Sequence, residues 1–229
     1  MPATLRLLST LAVMGGMRDL CNAYRARGGC VVEADFAPTV ALLERLRGGE
    51  RADIAILTAG GIDNLIAAGI MRPGSRTDVA RSFVGIAVKA GAPKPDIGTV
   101  EAFKAAILAA RSVCYSRIGA SGLYFAALIE RLGIAEAVNA KATIASTGFT
   151  AERLIGGEAD LAVQQISELM VVPGIEVVGG LPADVQTVAM VSAGLLAASD
   201  QPDLAADFAR FLASKDAEPV LRRTGLEPA

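Results

Sequence analysis

The sequence predicts an α/β protein of two lobes, with the second lobe inserted into the first. Three observations lead there. Strand-like and helix-like stretches alternate along nearly the whole chain. Two long apolar strand stretches, near residues 79–91 and 185–199, separate an outer block from an inner one. The core material is Ala, Val, Leu and Gly. Hydrophobic residues make up 52% of the 229 and aromatics only 4%, a balance that favours helices packed closely on sheets.

The elements follow in order. TLRLLS (4–9) is a short apolar strand, and GGMRDLCNAYRARGG (15–29) is a helix ended by Gly28 and Gly29. CVVEADFA (30–37) is a second strand. Pro38 and Thr39 open the helix TVALLERLRGG, whose Leu42, Leu43 and Leu46 recur at helical spacing. ADIAILTA (52–59) is a buried strand and IDNLIAAGI (62–70) a short helix. This order implies a parallel sheet covered on both faces. A long strand, DVARSFVGIAVKAG (78–91), leads to the Pro- and Gly-rich APKPDIG. The rhythm then restarts. Helices are expected at 99–110, 119–134 and 150–157, and strands at 112–116, 141–146, 159–166 and 175–182. QTVAMVSAGLLAAS (186–199) is the second long strand. The chain closes on one or two helices over 202–225, with Leu204, Phe208, Phe211 and Leu212 on one side. Two crossings place lobe 1 at 1–86 plus 188–229 and lobe 2 at 87–187. Lobes joined in this way leave a hinged cleft, where both sheets would present the carboxyl ends of their strands.

Composition removes several function classes. There is no histidine, so no Ser-His-Asp or Cys-His triad, and the commonest metal ligand is missing. Cys21, Cys30 and Cys114 suit no zinc site and read as free thiols. No metal and no cofactor is expected. The net charge is −2 and no basic run occurs, so nucleic acid is not an expected partner. No apolar stretch reaches the roughly 20 residues of a membrane span. The first 16 residues carry Arg6 ahead of an apolar run but lack a clustered basic start and a small-x-small cleavage site. They read as the first strand, and a cytoplasmic protein is expected. A chain trimmed of a leader would be periplasmic.

The stretch SRIGASGLYFAALIERLGI (116–134) opens with Gly119, Ser121 and Gly122 and has no acid before Glu130. A helix start leaves about four N–H groups without intrahelical partners, and the helix dipole adds roughly half a positive charge there. An anion suits such a start. Ser121 would cap the helix or donate directly, beside the Gly122 and Leu123 amides, with Arg117 four residues earlier.

With GMRDL after the first strand, FAPTVALLERLRGGERADIAIL, ASGLYFAALIERLGI, GEADLAVQQISEL, PGIEVVGGLP and FARFLASKDAEPVLRRTG, the chain resembles the type II periplasmic-binding-protein fold. Within it, the likeness is to the molybdate-type substrate-binding proteins of ABC transporters. It covers roughly residues 5–226. The resemblance implies an anion held between the lobes by main-chain amides and hydroxyls. By position it also implies donors at Thr10 to Ala12, Thr39, Thr150 and Gln165. Ala12 stands where that family has a serine, and Gln165 where the molybdate binders have a tyrosine. An oxyanion and a carboxylate both stay open, the latter suiting Gln164, Gln165 and Arg117.

Two functions compete. One is a solute-binding protein that captures a small anion, with an ABC permease as partner if the chain is exported. The other is a cytoplasmic isomerase of a small di- or tricarboxylate, since some proteins that resemble these binders are such isomerases. A proton shift needs a base and a carboxylate clamp. Glu168, just past the strand at 159–166, and Tyr115 are candidates, beside Cys114, a lysine or a bound water. Glu168 equally suits the first turn of a following helix, where an acid is electrostatically favoured. An intracellular sensor is a third reading; no helix-turn-helix pattern supports a DNA-binding regulator.

Overall fold

The computed structural model describes residues 3–229; Met1 and Pro2, at the head of the segment weighed as a leader, lie outside them. The chain divides into two units, Met1–Ser82 with Ala189–Ala229, and Phe83–Val188.

In chain order the outer segment first forms β1 (Thr4–Ser9), a 3-10 turn (Leu11–Val13), α1 (Met14–Ala26), β2 (Val31–Phe36), α2 (Thr39–Arg47), β3 (Ile54–Thr58), α3 (Ala59–Ala67) and β4 (Thr77–Lys89). The inner segment adds α4 (Val100–Ala109), β5 (Val113–Ser116), α5 (Ala120–Arg131), α6 (Ala135–Asn139), β6 (Thr143–Ala145), α7 (Glu152–Ile155), β7 (Leu161–Gln165), α8 (Ile166–Leu169) and β8 (Ile175–Gly180). After a 3-10 turn at Ala183–Val185 come β9 (Val188–Leu195), α9 (Pro202–Leu212), α10 (Glu218–Arg223) and β10 (Glu227–Pro228).

In the outer unit β1 lies between β2 and β3, parallel to both, and β9 runs antiparallel to β3. Ser9 pairs with Phe36 and with Ile56, so the carboxyl ends of the parallel strands reach one edge. Both faces of β1 are buried. Leu5 and Leu7 join the cluster under α1 and α9, while Leu8 joins the one under α2 and α3. That explains the near-continuous apolar run, which is usual for a covered parallel strand. Tyr24 anchors the first cluster. Its ring lies 4.9 Å from Phe208 and 5.3 Å from Phe211, and its hydroxyl donates to Asp207 at 2.8 Å. α9 thus buries the face that its spacing marks out.

In the inner unit β5 is parallel to β6 and β7, and the inner half of β4 runs antiparallel to β7. Val113, Tyr115 and Val163 face α5 through Phe125 and Leu128. Cys114 and Ala162 face the opposite cluster with Leu154 and Leu169. The alternation along β5 and β7 is that of a strand buried on both sides. Each fully buried Leu or Phe here contributes about 1.5–3 kcal/mol. α5 ends where Gly133 takes φ +68°. Its N–H bonds to Glu130 O, and Ile134 N–H to Ile129 O, both at 3.0 Å, the paired bonds of a glycine-terminated helix.

Several elements differ from expectation. The helix expected at 150–157 is a single turn, Glu152–Ile155. The second long strand is shorter than residues 186–199, because it ends at Leu195. α6 was not foreseen, since Gly133 masks the start of a new helix directly behind α5. The two long strands make each sheet mixed, as they run against their parallel neighbours.

Candidate functional site

The inner unit supplies the better-defined candidate. Ser116, the last residue of β5, pairs with Ala145 at the end of β6. β7 lies in parallel on the other side of β5 and ends at Gln165. Three strand ends therefore share an edge, and the α5 start, the 146–150 segment and α8 leave from it.

α5 begins at Ala120, with Gly119 in the cap position, no side-chain cap bond and no acid in the first turn. The sequence expectation of Ser121 as the cap is corrected: Ser121 lies inside the first turn. The first intrahelical bond runs from Leu123 N–H to Gly119 O at 3.0 Å, so the amides of Ala120, Ser121 and Gly122 have no intrahelical acceptor. Ser121 is 4% exposed, and its hydroxyl has no partner among the described residues. By contrast, α3 and α4 are capped by hydroxyls. Thr58 Oγ1 accepts from Gly61 N–H at 3.3 Å, and Thr99 Oγ1 from Ala102 N–H at 3.1 Å. An uncapped, acid-free first turn with an unengaged hydroxyl is chemically disposed toward an anion.

Arg117 is exposed and leans back on its own unit. Its guanidinium sits 5.9 Å from the Tyr115 ring centroid and donates to Tyr115 Oη at 3.2 Å. Tyr115 is fully buried, and its hydroxyl donates to Asn139 Oδ1 at 2.6 Å. This candidate base is thus a core phenol with its proton already placed. Asn139 escaped the sequence reading because it lies on α6.

Thr150 is fully buried and engaged. Its N–H and its hydroxyl both donate to Gln164 Oε1, at 2.8 and 3.0 Å. Gln165 precedes α8 and is 5% exposed. Glu168 is the third residue of α8 and 7% exposed. Burial pushes its carboxyl up to about 7, against the opposing effect of hydrogen bonds from the Gln164 side chain and the Gln165 N–H. Ser167 beside it is 2% exposed, and its Oγ has no partner among the described residues.

The outer unit places the remaining candidates at its own strand-end edge. Thr10 is 7% exposed and caps the turn at 11–13 without a side-chain bond; its N–H is spent on Ile56 O at 2.9 Å. Ala12 is buried in the core under α1, which leaves only its amide as a donor. Thr39 is the first residue of α2, half-buried, with Pro38 in the cap position. Its own N–H therefore belongs to the first turn of α2.

Cys21, Cys30 and Cys114 are free. Among the described residues no helix is long and apolar enough to cross a membrane, and no cluster of three or more Cys, Asp or Glu side chains could hold a metal ion.

Comparison with known proteins bears on the fold and the family. The chain is 36% identical to an aconitate isomerase of a Pseudomonas species, over 98% of this chain and 88% of that one. Its structure is similar to the periplasmic molybdate-binding protein of Azotobacter vinelandii, with a TM-score of 0.82, 17% identity and coverage of 97% and 98% of the two chains. It is also similar to a sulfate-binding protein of Mycobacterium tuberculosis, with a TM-score of 0.78, 16% identity and coverage of 99% and 87%. The two-lobed fold of periplasmic binding proteins expected from the sequence is the fold of these structures. The family model for bacterial extracellular solute-binding proteins matches residues 5–227, and the chain belongs to that family.

Proposed function

We propose that this protein binds a small polycarboxylate anion, with the α5 start receiving one carboxylate. The observation that carries this reading is the uncapped first turn of α5, free of acids and holding the 4% exposed Ser121. Arg117 supplies charge nearby. Ala12 and Gln165 replace the serine and tyrosine that the molybdate-type resemblance leads one to expect, which favours a carboxylate over a tetrahedral oxyanion. In an exported form, the partner of such a binder is an ABC permease.

A second reading is favoured by the aconitate isomerase relative, which is similar over nearly the whole chain. In it the bound ligand is a tricarboxylate of the aconitate class, and the protein shifts a proton on it. Burial of Glu168 keeps a carboxyl close to neutral pKa in the same unit, the range that suits acid–base work.

A thermal-shift screen separates the ligand classes. At about 100 times Kd, a ligand raises stability by about 2.7 kcal/mol, roughly 5–10 °C for a chain of this size. Aconitate and citrate are expected to give that shift, and molybdate, sulfate and phosphate are not. A shift with molybdate alone overturns the polycarboxylate reading. Proton NMR of aconitate in D2O then tests chemistry: solvent exchange or conversion supports the isomerase, and tight binding without either overturns it.

A further inference from the structure

Arg117, Tyr115 and Asn139 form one hydrogen-bonded cluster inside the inner unit. Tyr115 Oη donates its proton to Asn139 Oδ1 at 2.6 Å. Arg117 Nη2 donates to the phenol oxygen at 3.2 Å and, at the longer distance of 3.4 Å, to the same Asn139 oxygen. Arginine only donates, so the Asn139 atom turned toward the cluster is its oxygen. That oxygen takes the Tyr115 proton and leaves a lone pair of the phenol for the guanidinium. The ring gives the cluster a fixed floor. It is fully buried and meets Phe125 edge-on at 5.1 Å. The guanidinium carbon lies 5.9 Å from its centroid, within reach of a cation–π attraction.

Every one of these partners is neutral. Arg117 makes no ion pair among the described residues, whereas the exposed Arg111, Arg210 and Arg223 each hold a carboxylate. A carboxylate at position 139 would hold the guanidinium as firmly and cancel its charge. The asparagine amide holds it and leaves the charge whole. Nε and Nη1 have no partner among the described residues, so their protons are left for an anion.

The backbone brings that charge to the α5 start. Arg117 belongs to the short link between Ser116, the end of β5, and Ala120, the first residue of α5. Ile118 N–H donates back to Ser116 Oγ at 3.2 Å, and a β-carbon on Gly122 would lie 1.7 Å from Ser116 O. The first turn of α5 therefore rests on the peptide bond that joins Ser116 to Arg117. The charge of a residue rooted at that peptide is felt at the first turn, because screening at physiological ionic strength sets in over about 8 Å.

We propose that Asn139 is a positioning residue for anion binding at the α5 edge. With the Tyr115 hydroxyl it holds the Arg117 guanidinium in one place and leaves its charge uncompensated, without itself touching the ligand. The inference rests on reading the α5 start as the anion site. Asn139 is exposed at the end of α6, while Val138 beside it is fully buried, so the backbone is anchored and changes at 139 spare the fold.

The test is a double-mutant cycle, read by calorimetry with aconitate on the wild type, Asn139→Ala, Arg117→Ala and the pair. Asn139→Ala is expected to weaken binding about fivefold, and to weaken it no further once Arg117 is gone. Asn139→Asp keeps an acceptor but pairs with Arg117, and is expected to weaken binding at least as much. Unchanged or tighter binding in Asn139→Ala overturns the inference, tighter binding being the mark of a guanidinium freed from a resting place. An equal loss with and without Arg117 also overturns it, since a merely structural role produces that. NMR of the Arg117 Nε–H group in the free protein, at slightly acid pH, adds an arm that needs no ligand. A shifted, slowly exchanging resonance is expected in the wild type and in Asn139→Asp, and an averaged one in Asn139→Ala. An averaged resonance already in the wild type overturns the inference. If aconitate fails to bind the wild type while Asn139→Ala releases Arg117, the ligand reading falls and the hold of Asn139 on Arg117 stands.

Discussion

A β-carbon on residue 122 would lie 1.7 Å from the carbonyl oxygen of Ser116. Gly122 is therefore the residue that lets the first turn of α5 rest on the end of its own strand. The sequence reading gave this glycine to anion approach; the structure gives it first to packing. Gly122→Ala is expected to lower stability by at least about 2 kcal/mol, since overpacking against backbone finds no rotamer to relieve it. Urea unfolding measures the loss, and aconitate affinity is expected to fall with it.

Ser121 and Arg117 are expected to separate binding from stability. Ser121→Ala removes a hydroxyl with no partner among the described residues, so its Tm should stay within a degree or two or rise, while aconitate affinity falls roughly tenfold. Arg117 is exposed, so Arg117→Ala should also spare Tm. Its effect on affinity should shrink in high salt, as for any solvent-screened charge. Calorimetry at low and high salt checks both variants.

The Glu168 carboxyl is raised from 4.5 to about 7. Between those values the folded state keeps a proton that the unfolded chain has released. Stability from this group is therefore full below about pH 4.5 and is lost as pH rises through about 7. The loss amounts to at most roughly 3 kcal/mol. Relative to wild type, Glu168→Gln should gain stability steadily from pH 5 to pH 8, read from urea midpoints at each pH.

Arg45 works in the opposite direction. It donates to Asp35 and, through Nε and Nη2, to Glu50 at 2.6 and 2.7 Å, and these bonds hold both carboxyls below their ordinary range. Depressed carboxylates stabilise above their unfolded pKa and lose that contribution as pH falls through the folded values. With Asp35 largely exposed, the effect should stay under about 1 kcal/mol. Arg45→Gln is expected to flatten the fall in stability between pH 5 and pH 3.

The thiols should be sluggish. Burial pushes Cys114 up to about 12 and Cys21 up to about 11, and it raises Cys30 as well. The thiolate is the reacting form. Disulfide reagents at pH 8 are expected to label all three slowly in the native protein and rapidly in urea.

Much of this architecture can be read from residue patterns alone. The apolar run of β1 and the Leu42–Leu46 spacing of α2 announce themselves because burial imposes a period. The uncapped start of α5 is visible as a glycine–serine turn without acids. What stays hidden depends on through-space partners. Thr150 reads as a free hydroxyl until Gln164 is seen to occupy it, and Tyr115 reads as a base until its hydroxyl is seen to donate to Asn139. Thr39 and Ser121 each sit within two places of a cap, a difference that sequence spacing cannot resolve.

The outer unit closes its core with Phe208, Phe211, Leu212 and Leu221, all from the last stretch of the chain, while the inner unit is one uninterrupted segment. During synthesis the inner unit can therefore complete itself first. β1, β2 and β3 must wait at the ribosome with one face covered by α1 alone until α9 arrives, which makes the early nascent chain the stage most exposed to aggregation.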